Sequence, residues 1–142
     1  MTEITLIRHA ESQANLDGIW NGQMDGPLSA AGEASLDAIG KRLHDRKFDL
    51  VVCSPLQRAK QTASSFTSDF EVWDRLAELD IGRWEGKSRE KIFAEDGEYL
   101  RQAIGRRTLP MGFTGESLEE LHRRAVGAID SLAADLGEEG RA

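Results

Sequence analysis

Short aliphatic runs alternate with longer stretches of helical periodicity along this chain, and this alternation constrains its fold most strongly. Residues 4–7, 49–53 and 71–79 are predicted to be strands, and residues 29–47, 56–66, 88–104 and 117–136 are predicted to be helices. Strands that alternate with helices predict an α/β fold with a mainly parallel sheet. At 142 residues the chain has the length of one domain, which we expect to span residues 1–142.

Capping residues mark the starts of two predicted helices. Ser29 is a favourable N-cap for the first long helix. Ser117 and Glu120 have the spacing of a capping box at the start of the last helix, and apolar residues then recur at helical spacing up to residue 136. Residues 10–27 are rich in glycine, asparagine and aspartate and are predicted to be a long loop.

The composition excludes several classes of protein. The single cysteine, Cys53, rules out an internal disulfide framework and a cysteine-rich zinc site. No stretch approaches the roughly 18 unbroken apolar residues of a membrane span, and no secretory signal follows Met1, so we expect a cytoplasmic protein with no membrane partner. The formal net charge of −7 argues against nucleic acid as a partner, because proteins that bind it by charge are usually basic.

Polar side chains follow each predicted strand, where parallel α/β sheets bind their ligands. Arg8 and His9 follow the first strand, Arg58 lies shortly after the second, and Glu78 lies near the end of the third. An arginine fork suits a phosphate group, a neutral histidine can be a nucleophile, and a carboxyl group can protonate a leaving oxygen. This set predicts phosphoryl transfer without a metal ion, since the three histidines are too far apart in sequence to indicate a metal site.

Each of these residues also has an ordinary structural interpretation. His9 alone would usually be a hydrogen-bonded structural residue, Arg58 an exposed helix residue, and Glu78 a solvated strand end. Cysteine-dependent phosphatases offer a rival chemistry, in which five residues separate the cysteine from the arginine. Here only four residues separate Cys53 from Arg58, and Pro55 removes one N–H from the loop that would hold the phosphate. Cys53 is therefore interpreted as a small buried strand residue.

Five segments, in order along nearly the whole chain, resemble the motifs of the histidine phosphatase superfamily, also called phosphoglycerate mutase-like. They are L-I-R-H-A-E-S-Q-A-N (6–15), P-L-S-A-A-G (27–32), C-S-P-L-Q-R-A-K-Q-T-A (53–63), L-A-E-L-D-I-G-R-W-E-G (76–86) and G-E-S-L (115–118). The resemblance implies a three-layer α/β/α fold with a mainly parallel sheet, no cofactor, and a small phosphorylated substrate.

The resemblance also implies a role for each candidate site residue. His9 is similar to the nucleophile that becomes phosphohistidine, and Glu78 to the proton donor for the leaving group. Arg8 and Arg58 are similar to the arginines that bind the phosphate, and Asn15 to a further hydrogen-bonding residue of the pocket. The implied activity is that of a metal-independent phosphatase. A mutase-type phosphotransferase and a binding module without turnover are the alternatives.

The sequence departs from the family pattern at two places. Ala10 stands where glycine is usual, which is a known variant of the motif and is tolerated where φ is negative. The family's second catalytic histidine, which lies in a His-Gly motif after the last long helix, has no counterpart up to Ala142. The resemblance places that strand beside residues 4–7. We therefore expect an incomplete domain without its C-terminal strands, reduced activity, and an open sheet edge through which copies could associate.

Overall fold

The computed structural model describes residues 2–137 and 140–142. The helices within them are α1 (Gln13–Leu16), α2 (Ala30–Leu43), α3 (Gln57–Ala63), α4 (Arg89–Arg106) and α5 (Leu118–Leu136). The strands are β1 (Ile19–Trp20), β2 (Val52–Cys53), β3 (Glu71–Val72) and β4 (Lys87–Ser88), and 3₁₀ turns span Asp74–Leu76, Gly82–Trp84 and Met111–Phe113. None of the helices in this part of the chain is long and apolar enough to cross a membrane.

Parallel pairing joins β2 to β3, and antiparallel pairing joins β1 to β4. The second pair was not predicted, and the expectation of a loop over residues 10–27 is wrong in part because α1 and β1 lie within it. The third predicted strand is shorter than expected. It ends at Val72, because the chain turns into the 3₁₀ segment Asp74–Leu76.

Residues 140–142 lie between the start of the chain and the segment that leads into β2. Arg141 forms a parallel bridge with Glu3, and the backbone N–H of Ala142 donates to the Glu3 carbonyl oxygen at 3.0 Å. On the other side, the N–H of Asp49 donates to the Arg141 carbonyl oxygen at 2.9 Å. These three residues therefore occupy the start of the position where the resemblance places a strand.

The prediction of a buried strand at residues 4–7 is wrong in this structure. Its pairing reaches only Thr5, whose N–H donates to the carbonyl oxygen of Ala142 at 2.6 Å. Beyond that point Leu6 is 82% exposed and Ile7 is 40% exposed. A central strand is buried by neighbours on both sides, and the described chain provides no backbone partner for the residues that follow Thr5 on this side.

The helix ends confirm the capping predictions. The Ser29 hydroxyl accepts from the N–H of Gly32 at 3.0 Å, and α2 begins at Ala30, although it ends at residue 43 rather than 47. At the start of α5 the Ser117 hydroxyl accepts from the Glu120 N–H at 3.2 Å. The Glu120 carboxylate in turn accepts from the Ser117 N–H at 2.8 Å.

The best-packed part of the core lies against α4. Trp84 is fully buried there, and its indole N–H donates to the Asp96 carboxylate at 2.8 Å. The rings of Trp20 and Tyr99 meet Trp84 edge-on. The buried residues of this cluster are Ile81, Trp84, Ile92, Leu100, Ala103 and Met111. This core fixes the loops of residues 80–86 and 111–117, whereas the side of the molecule beside Ala142 contains a cavity.

Candidate active site

A cavity of about 360 Å³ lies between residues 4–9 and 51–54, with Ala142 in its wall. Aliphatic side chains of both segments and of α5 form much of the lining. The polar lining includes four of the predicted site residues, namely Arg8, His9, Arg58 and Glu78. The chain segments that carry them therefore converge at this cavity.

His9 is held in one tautomer by its own backbone neighbour. Its Nδ1 lies 2.6 Å from the carbonyl oxygen of Ala10, which can only accept, so Nδ1 carries the proton and Nε2 keeps a lone pair. The Ala10 N–H donates to the hydroxyl of Thr62 at 3.0 Å, which ties this loop to α3. Burial lowers the pKa of His9 below its ordinary 6.5. The bond to Ala10 opposes that effect, and the charges of Arg58 and Arg8 lower the pKa further. His9 is thus kept in the neutral form that a nucleophile requires.

Arg58 is a buried residue in the first turn of α3, so its interpretation as an exposed helix residue is wrong. Its guanidinium donates to the carbonyl oxygens of Gly22 at 3.0 Å and Met24 at 3.3 Å. The Asp25 carboxylate, from the same loop, accepts from the N–H of Gln57 at 2.6 Å and caps α3. Two of the five guanidinium N–H groups are therefore engaged, and the others find no partner within the described chain.

Glu78 and Arg8 are exposed residues of the cavity wall. The negative charge of Glu78 partly opposes the lowering of the His9 pKa, and both residues line the same cavity. The backbone of Glu78 is held from two directions. Its carbonyl oxygen accepts from the side chains of Gln23 and Arg124, each at 2.9 Å.

Asn15 is not among the residues that line the cavity. It lies in the first turn of α1, where its Oδ1 accepts from the N–H of Ser12 at 3.1 Å. Its own N–H donates to the Ser12 hydroxyl at 3.2 Å, which completes a capping box. In this structure the Asn15 side chain therefore closes a helix end, and its role in phosphate binding stays a prediction.

Cys53 lines the cavity as a buried residue, as the sequence predicted. Burial raises the pKa of its thiol, and the S–H donates to the carbonyl oxygen of Ser54. Cys53 is thus kept as a neutral thiol rather than a reactive thiolate. Among residues 2–137 and 140–142, no group of three or more His, Cys, Asp and Glu side chains is placed to hold a metal ion.

Three residues that hold Glu78 in place were not predicted from the sequence, namely Gln23, Glu116 and Arg124. A signal existed for Arg124, which falls three residues after Leu121 on the apolar side of α5. A charged residue on the apolar side of a helix indicates a buried partner. The carboxylate of Glu116 is that partner.

Comparison with known proteins gives a consistent family assignment. The profile described as "Histidine phosphatase superfamily (branch 1)" matches residues 4–140. An adenosylcobalamin/alpha-ribazole phosphatase of Escherichia coli K12 is 39% identical over 97 residues, which are 66% of this chain and 48% of that protein. A Salmonella paratyphi A protein named "Probable phosphoglycerate mutase GpmB" is 31% identical over 135 residues, which are 92% of this chain and 63% of that protein.

Solved structures show the same fold. A phosphoserine phosphatase from Entamoeba histolytica, in complex with 3-phosphoglyceric acid, superposes with a TM-score of 0.85 at 26% identity. The match covers 99% of this chain and 72% of that one. These likenesses confirm the α/β, phosphoglycerate mutase-like fold. The chain spans about half to two thirds of the length of the two curated relatives above.

Proposed function

The chain belongs to the histidine phosphatase superfamily, and we propose that it hydrolyses small phosphomonoesters through a phosphohistidine formed on His9. One observation carries this proposal. The bond between Nδ1 of His9 and the Ala10 carbonyl oxygen leaves Nε2 unprotonated in a cavity that also contains Arg8, Arg58 and Glu78. Relatives named as phosphatases support the same reaction class.

The proposed reaction has two steps. In the first, Nε2 of His9 attacks phosphorus, the ester P–O bond breaks, and the carboxyl group of Glu78 gives its proton to the leaving oxygen. In the second, water attacks the phosphohistidine, the P–N bond breaks, and the Glu78 carboxylate accepts the proton that water loses. Inorganic phosphate leaves, and His9 and Glu78 return to their starting forms.

Both transition states spread negative charge over the phosphoryl oxygens, and the positively charged arginine side chains can stabilise it. Arg58 has unused N–H groups beside His9, and Arg8 adds a second positive charge at the exposed wall. These local charges would attract an anionic substrate against the overall charge of −7. We also propose a cytoplasmic location, which the single buried thiol of Cys53 supports.

The test is direct detection of the phosphohistidine. We expect the chain to take up label from radioactive dinitrophenyl phosphate, and the label to survive a quench in base and be lost in acid. His9→Gln should abolish the label. His122→Gln, which alters an exposed histidine on α5, is the matched control and should keep it. Label that persists in His9→Gln, or no label in the wild type, would contradict the proposal.

The fate of the label separates hydrolysis from the alternatives. Release of inorganic phosphate into water supports a phosphatase. Transfer to an added phosphoglycerate would instead identify a mutase-type phosphotransferase, the activity in the name of the Salmonella relative. Phosphate bound without any label on His9 would identify a binding module.

A further inference from the structure

Arg124 on α5 uses every N–H group of its guanidinium. Its Nε donates to the Glu116 carboxylate at 2.9 Å, and its Nη2 donates to the other oxygen of the same carboxylate. Its Nη1 donates to the carbonyl oxygens of Arg75 at 3.0 Å and Ala77 at 2.7 Å, and Nη2 donates to that of Glu78 at 2.9 Å. Because a guanidinium has five N–H donors, none is left for a ligand.

Glu116 extends this arrangement to the other side of Glu78. Its carboxylate also accepts from the N–H of Asp80 at 3.1 Å, and its own N–H donates to the Asp80 carbonyl oxygen at 3.0 Å. The side chains of Arg124 and Glu116 are only 21% and 15% exposed, so water competes little for these bonds. The backbone on both sides of Glu78 is thus fixed to α5 and to the segment that precedes it.

Few contacts hold the Glu78 carboxylate itself. Within the described chain its one hydrogen bond is from the N–H of the adjacent Leu79 at 2.8 Å, and the residue is exposed. Its position beside His9 therefore depends on its backbone. That backbone is held by Arg124, with Gln23 as a second donor to the same carbonyl oxygen.

We propose that Arg124, locked by Glu116, is a positioning residue for Glu78 and sets where its carboxyl group meets the leaving oxygen. This inference rests on the proposed function, because it assigns Glu78 the proton transfer. Arg124 itself is not among the residues that line the cavity, and all its donors are already engaged. Lysine cannot replace it, because one ammonium has three donors and cannot match a carboxylate and three carbonyl oxygens together.

The test compares two phosphoryl donors in single-turnover labelling of His9. An alkyl phosphate needs a proton on its leaving oxygen, whereas dinitrophenyl phosphate releases a stable anion without one. Displacement of a catalytic group by about 1 Å can cost about 100-fold, so Arg124→Lys should slow labelling from the alkyl donor by roughly 10- to 100-fold. Labelling from the dinitrophenyl donor should change by less than about threefold, and half-saturating concentrations by less than about twofold, since phosphate binding is intact.

Two further variants make the test specific. Arg123→Lys, on the same helix but 74% exposed and paired with Glu119 at the surface, should behave as the wild type. Arg124→Lys combined with Glu78→Gln should be no slower than Glu78→Gln alone, because the two changes remove the same proton transfer. If Arg124→Lys does not fold, Glu116→Gln, which weakens the same contacts, should show the same selective loss.

Each outcome has one meaning. Equal slowing with both donors, or an additive loss in the double variant, would overturn the positioning role of Arg124. Labelling by both donors that is unchanged in Arg124→Lys would overturn it as well, while leaving the phosphatase proposal intact. No label on the wild-type chain with dinitrophenyl phosphate would instead overturn the proposed function, and the positioning role with it.

Discussion

Replacing Arg58 with alanine should weaken the binding of inorganic phosphate or vanadate to this chain. Arg58 is 4% exposed and lines the same cavity as His9, and its guanidinium donates to the carbonyl oxygens of Gly22 and Met24. A hydrogen bond to a charged partner contributes about 1.5–3 kcal/mol, which corresponds to an affinity loss of about 10- to 150-fold.

Arg58→Lys should recover only part of this affinity. An ammonium keeps the charge, but it cannot hold two loop carbonyl oxygens and also offer a fork to the phosphate. Arg42→Ala, on the exposed surface of α2, removes the same charge away from the cavity and is the matched control. It should change the affinity by less than about twofold, because exposed charges are screened beyond about 10 Å at ordinary ionic strength.

Isothermal titration with vanadate at fixed salt measures these affinities, and thermal melting reports whether each variant is folded. The loss of buried contacts should also lower the melting temperature of Arg58→Ala, so Arg58→Lys provides the better-folded comparison. An unchanged dissociation constant in folded Arg58→Ala would refute the phosphate-binding role. An equal loss in Arg42→Ala would show that overall charge, and not the arginine fork, accounts for the effect.

Three further predictions concern stability and protonation, and each is tested by measuring the free energy of unfolding in urea. Because the folded chain holds the pKa of His9 below 6.5, the unfolded chain binds more protons as pH falls through 6.5. As pH falls from 7.5 to the lowered pKa of His9, the free energy of unfolding should therefore decrease more for the wild type than for His9→Gln. Parallel plots of unfolding free energy against pH for the two proteins would contradict this. Ser117→Ala removes the hydroxyl that caps α5 and should cost about 1 kcal/mol, whereas Ser131→Ala, in the interior of α5, should cost less. Trp84→Phe removes the buried indole N–H that donates to the half-buried Asp96 carboxylate and should cost about 1–3 kcal/mol.

Local sequence signals predicted those parts of the fold that local chemistry determines. The capping box at Ser117 and the N-cap at Ser29 need only residues three positions away, and both are formed. His9, Arg58 and Glu78 line one cavity, although only Arg58 follows a strand of the predicted kind, since residues 4–7 form no buried strand and β3 ends at Val72.

Burial of residues 4–7 could not be predicted from the residues themselves, because it depends on pairing with a segment far along the chain. Four consecutive aliphatic or β-branched residues indicate a buried strand only where neighbours exist on both sides. The structure provides one such neighbour at Ala142, and it reaches no further than Thr5. Leu6 is therefore exposed because strand pairing stops before it, and not because of the local sequence.

Three sets of hydrogen bonds hold His9, Arg58 and Glu78 in place at the cavity. His9 is fixed through Ala10 to Thr62 of α3, Arg58 through its bonds to the loop at residues 22–24, and Glu78 through Arg124 of α5. These are bonds to side chains or loop carbonyl oxygens, and no backbone pairing across the cavity takes part in them. The relative placement of the three groups is therefore set by these bonds.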